Sequence, residues 1–189
     1  MKIINSKIFK IIIVLFIIGF LLGILFYYKV GSKDEIEYYF NSINNREFNY
    51  SKNLILAITY NLKYIILIWV SGIFIFLSII IPFIIIYRGI INGFIFISII
   101  HLFHIKGLLI ALILAFPVIL INESILFLIS YYSLNFSIRT YNIIKDNKSI
   151  NLKLYTKNYY YKFIIFFIVI ILNCLFETFI TSNIIRYVL

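Results

Sequence analysis

Residues 61–93 read NLKYIILIWVSGIFIFLSIIIPFIIIYRGIING, and they decide what kind of protein this is. From Tyr64 to Tyr87 the stretch carries no charge; Pro82 interrupts it, Arg88 closes it, and Gly89 and Gly93 follow. A helix apolar on every face has to be buried, either in a large core or in lipid. At about 1.5 Å per residue, such a run is about 36 Å long and crosses a hydrocarbon core of about 30 Å with some tilt. Comparable runs lie on both sides of it. The chain therefore reads as all-α, a polytopic integral membrane protein.

The composition agrees. Of 189 residues, 63% are hydrophobic and 13% charged, whereas soluble domains are nearer half apolar and a quarter charged. That leaves no room for a separate soluble domain, so residues 1–189 form a single transmembrane domain. The net charge of +10, from 17 Lys and Arg against 7 Asp and Glu, points to basic cytoplasmic loops rather than to a nucleic-acid partner. The single cysteine, Cys174, lies in an apolar run; it cannot form an intrachain disulfide and has no metal-ligand neighbours.

Toward the N-terminus, Lys2, Lys7 and Lys10 precede an apolar run that reads as an uncleaved helix over 8–28, with the N-terminus cytoplasmic. Gly19 and Gly23 have the spacing that lets two helix backbones approach closely. Residues 29–62 form an outer polar segment, in which Ser32 or Asp34 caps a short helix through Ile43. A second helix is expected over 63–87, with Trp69 at outer interfacial depth, Pro82 kinking the inner half and Arg88 at the inner interface. A third helix over 89–105, carrying Gly89 and Gly93, makes a tight hairpin with the second. His101 and His104 end it as interfacial side chains, and no metal or cofactor is expected.

A fourth helix over 107–137 is too long for one bilayer unless Pro117 bends it. It carries Asn122 and Glu123 near its middle, where a carboxylate is costly. The first reading of Glu123 is a protonated group, or one bonded to a Ser or Asn of a neighbouring helix; a proton or ion site is the other. Residues 139–162, with six basic residues against Asp146, form a basic cytoplasmic segment. A fifth helix over 163–185 carries Asn173 and Glu177 and leaves the C-terminus outside. No nucleotide-binding glycine loop, H-E-x-x-H or G-x-S-x-G occurs, so no enzymatic activity is expected.

Several motifs fall in a recognisable order. They are Asn61-Leu62-Lys63-Tyr64-Ile65, Leu67-Ile68-Trp69-Val70, Gly72, and Arg88-Gly89-Ile90-Ile91-Asn92-Gly93-Phe94, with Phe20 to Gly23, Glu37-Tyr38-Tyr39, Lys106-Gly107 and Phe176-Glu177 beyond them. In these the chain resembles the stage II sporulation protein M family, multi-pass proteins of endospore-forming bacteria. One departure is that the family has Gln-Asn after the fourth-helix proline, whereas Val118-Ile119 follow Pro117 here, with Asn122 and Glu123 one turn later. The resemblance implies a scaffold for forespore engulfment in the septal, engulfing mother-cell membrane, with no wall-cutting activity of its own. Its implied partners are the membrane-anchored wall-degrading stage II sporulation proteins D and P, besides the lipid bilayer. The close-approach glycines would admit partner helices, and segment 29–62 would meet the partners' external domains. The alternative is a permease-like transport component, with Glu123, Glu177 and Arg88 lining a polar path.

Overall fold

A computed structural model describes residues 6–30, 49–112, 116–146 and 152–181, and every regular element among them is helical. The long helices are α1 (Ser6–Val30), α2 (Tyr50–Ile73), α3 (Ile80–Ile110), α4 (Phe116–Lys145) and α5 (Leu152–Phe176). All five contain a stretch long and apolar enough to cross a membrane. A 3-10 turn, Ile75–Ile79, joins α2 to α3, and a π turn, Glu177–Thr181, extends α5.

The helices alternate in direction. Gly19 lies beside Ile86 and Gly23 beside Ile90, so α1 and α3 are parallel. Arg88 on α3 meets Asn61 on α2, so these two form an antiparallel hairpin about the Ile75–Ile79 turn. Trp69 packs on Phe163 and Asn61 on Cys174, which runs α5 antiparallel to α2. One end of the bundle thus gathers the start of α1, the α2–α3 turn and the α4–α5 connection. Lys7, Lys10, Arg139, Lys145 and Lys157 all belong to that basic end.

Ile65, Ile68, Ile81, Ile85, Ile129, Ile170 and Cys174 fill the centre with almost no exposed surface. Leu25, Phe76, Ile79 and Phe83 point outward and are also apolar. A bundle apolar outside as well as inside is what lipid requires, because only groups that need no water can face hydrocarbon.

The hairpin expected at Arg88 reverses earlier, at Phe74–Ile79. Phe74 leaves the helix with φ −94 and ψ 111. Its carbonyl accepts from the N–H groups of Leu77 (2.9 Å) and Ser78 (3.2 Å), and Ser78 Oγ donates to the Ile75 carbonyl (2.6 Å). The reversal satisfies its own backbone and needs no polar marker, so nothing in the charge-free run betrays it. Pro82 consequently sits in the first turn of α3, where a missing N–H breaks no helix bond, instead of kinking a helix. Trp69 lies one turn before the reversal, at the basic end, opposite to the outer position expected.

Other boundaries move for related reasons. Pro117 stands in the first turn of α4 and starts a helix rather than bending one. The surplus length assigned to 107–137 belongs partly to α3, which continues to Ile110 past a break at His104 (φ 51, ψ −124). Much of the expected basic segment is helical, since α4 runs to Lys145 and α5 begins at Leu152. At the other end of the bundle α2 begins at Tyr50, within the expected polar segment, and Asn49 caps it by accepting from the Lys52 N–H (3.1 Å). The short helix expected up to Ile43 lies outside the described residues.

Candidate functional site

Two features occupy the middle of the bundle. The first is the crossing of α1 and α3, where all four glycines of the paired spacings meet. A Cβ on Gly19 would strike the backbone of Ile86; one on Gly23, that of Ile90; one on Gly89, that of Phe16 and Phe20; and one on Gly93, that of Phe20. Small residues let the two backbones touch, and close contact is the main attraction available between helices in lipid. The glycines thus serve a contact within the chain. That surface is filled and does not stand open to a partner helix.

The second feature is a polar layer. Arg88, placed at the inner interface from sequence, is buried at the middle of the apolar span Ile75–His101 and is 4% exposed. Glu123 Oε1 accepts from Arg88 Nη2 (2.6 Å), from Arg88 Nε (3.0 Å) and from Asn92 Nδ2 (2.8 Å). Arg88 Nη2 also donates to Asn61 Oδ1 (3.2 Å), and the guanidinium carbon lies 5.0 Å from the Tyr60 ring centre and 5.1 Å from that of Tyr64. Charge-assisted bonds and aromatic faces surround the Arg88 guanidinium and Glu123 Oε1 in place of water. Glu123 Oε2 is buried and has no hydrogen-bond partner among the described residues.

Asn122 and Glu123 are consecutive, so their side chains leave α4 about 100° apart. Glu123 reaches α3, whereas Asn122 reaches α5. There Asn173 Nδ2 donates to Asn122 Oδ1 (2.6 Å) and Asn122 Nδ2 donates to Glu177 Oε2 (3.2 Å). Asn173 and Glu177 are four residues apart, one above the other on the same face. On α2, Asn61 Nδ2 donates to the Ala57 carbonyl (3.1 Å) and approaches Cys174 Sγ (3.5 Å). Four helices, α2 to α5, are therefore stitched together at one depth. Arg88, Asn122, Glu123 and Glu177 are brought into this layer; Trp69 and Pro82 are not.

Trp69 belongs to an aromatic cluster nearer the basic end. Its ring stacks on Phe163 at 4.3 Å between centres and interplanar 27°. Tyr159 OH donates to the Trp69 carbonyl (2.8 Å) and shares a hydrogen bond with Ser133 Oγ (2.8 Å). Gly72 is packed against both Tyr159 and Ser133.

His101 stands apart from these clusters and packs against Tyr27, with ring centres 5.7 Å apart.

Asn61, Asn92, Gly72, Ser133 and Tyr159 were not singled out as site residues from sequence. Asn92 had a legible signal, being four residues after Arg88 and so on the same helix face. Asn61 had none, because its partner depends on where the α2–α3 hairpin turns.

The family model described as Stage II sporulation protein M matches residues 12–182 of the chain, a range that includes all the residues of the polar layer. No curated protein and no solved structure matches.

Proposed function

The chain belongs to the stage II sporulation protein M family, and on that ground we propose that it is a membrane scaffold for forespore engulfment. It recruits and holds the wall-degrading stage II sporulation proteins D and P at the septal membrane and cuts no wall itself. The family match over 12–182 is the observation that carries this reading. The bundle supports it physically: Arg88, Glu123, Asn92, Asn61, Asn122, Asn173 and Glu177 bond one helix to another, as suits a rigid holder. A transport path through Arg88, Glu123 and Glu177 would need those same groups open to water; Arg88 is instead bonded to Glu123, and Glu177 accepts from Asn122, which favours the scaffold.

The clustering of Lys7, Lys10, Arg139, Lys145 and Lys157 at one end supports a cytoplasmic N-terminus. That orientation sends the end of α1, the start of α2 and the end of α5 outward, toward the wall on which the partners act. The partners dock on surfaces other than the glycine crossing, which α1 and α3 fill between them. Deleting the gene in the sporulating host tests the reading. Septation followed by arrested membrane migration is expected; normal engulfment contradicts it.

A further inference from the structure

Lys63 is exposed on α2 at a depth where a cation has no solvent. It lies about 20 Å along the helix from Tyr50 and about 15 Å from Ile73, close to the middle of a span. The neighbouring contacts agree: Asn61, two residues away, bonds Arg88, and Arg88 is level with the mid-span glycines of α1. No carboxylate among the described residues pairs with Lys63, whose amine lies only over the Tyr64 ring at 5.7 Å. Two half-exposed tyrosines border the same spot, Tyr60 with its ring 5.2 Å and Tyr87 with its ring 6.2 Å from that of Tyr64. An ionisable group at membrane depth marks a functional contact by default, because hydrocarbon leaves its charge unanswered.

Among the described residues, no carboxylate is placed to answer the charge from a second copy. Asp146 lies at the basic end. Glu123 is held by Arg88, and Glu177 by Asn122. Lipid headgroups do not reach the middle of the bilayer. What remains is a foreign helix.

We propose that the exposed face carrying Lys63, with Tyr60 and Tyr87 beside it, docks a transmembrane helix of a different protein, one that carries a carboxylate at matching depth. The proposal rests on the recruitment reading above and specifies the chemistry of the contact. The amine and the carboxylate neutralise each other away from water, while the tyrosine rings pack on the incoming helix.

The test uses the full-length chain in phosphatidylcholine vesicles with a fluorescent single-span polyleucine helix as the probe. The probe carries one central Asp, and an all-leucine version is the control. Energy transfer is expected to show the Asp helix binding wild type more tightly than Lys63→Leu by about tenfold, equivalent to about 1.4 kcal/mol. Lys63→Glu is expected to reverse the preference toward a probe with a central Lys. Lys63 is exposed, so neither substitution disturbs the interior. Three results would overturn the proposal: equal binding of the Asp and all-leucine probes, ready modification of Lys63→Cys by a membrane-impermeant maleimide, or Lys63→Cys disulfide dimers showing two copies of the chain meeting there. The probe needs no sporulation protein. A negative result therefore removes the Lys63 site alone, and recruitment is judged separately by recovery of stage II sporulation proteins D and P.

Discussion

Arg88 Nη2 stands 2.6 Å from Glu123 Oε1, and their side chains are only 5% and 3% exposed, so two opposite charges meet inside the bundle with no access to water. The pair fixes the register of α3 against α4. Through Asn61 it also holds α2, and through the neighbouring Asn122 it holds α5. A slip of one helix turn would strand both charges in hydrocarbon. The layer therefore specifies one arrangement of helices whose other contacts are nearly all apolar.

Breaking a buried pair by removing one partner typically costs about 3–5 kcal/mol, whereas replacing both by apolar groups is often neutral or better. Arg88→Met alone and Glu123→Leu alone are each expected to lower the Tm in detergent micelles sharply. The double variant is expected to regain most of the loss. Additive losses in the double-variant cycle would show that the two side chains are not coupled.

The glycine crossing makes a different prediction. Leucine at Gly23 or Gly93 must displace the backbone of Ile90 or Phe20, and overpacking of this kind costs about 1–3 kcal/mol or more. Both variants are expected to lose stability and to expose α1 to proteolysis. A protein of unchanged stability that merely failed to hold its partners would return the glycines to an intermolecular role.

The position of the α2–α3 reversal is open to depth measurement. With Cys174 replaced by alanine, a spin label at Phe76 is expected near the headgroups and one at Tyr87 near the bilayer centre. A hairpin that turned at Arg88 would give the opposite order. Both sites face outward, at 88% and 52% exposure, so labelling leaves the packing intact.

Trp69 is the chain's one tryptophan and reports on its surroundings by fluorescence. Tyr159→Phe removes the bonds to the Trp69 carbonyl and to Ser133, and a loss of about 0.5–1.5 kcal/mol for each net bond is expected. The emission of Trp69 should change with it. Unchanged emission and stability would mean that Tyr159 only fills space.

Much of the architecture was legible because lipid leaves so few choices. Five apolar runs had to become five helices, and the glycine pairs at 19/23 and 89/93 marked a close crossing, though not that they would meet each other. The turn at Phe74–Ile79 was illegible for a physical reason: Ser78 and the local backbone close its hydrogen bonds, and no charge, glycine or proline marks the reversal itself. That single displacement carried others with it. It moved Trp69 to the opposite end and turned Pro82 from a kink into a helix start. It also took Arg88 from the interface to the interior, where Glu123 awaited it. Glu123 was recognised as a costly group, but its principal partner could be found only by folding the hairpin in the right place. Bonding to a neighbouring Asn was the part of the expectation that Asn92 fulfils.

The scaffold account is tested most directly by affinity recovery of the tagged chain from solubilised membranes of engulfing cells, with probing for stage II sporulation proteins D and P. The account predicts that both are recovered with the chain, and that both disperse from the septal membrane when the chain is deleted. Absence of both from the recovered material, with their septal localisation unchanged in the deletion strain, would contradict it.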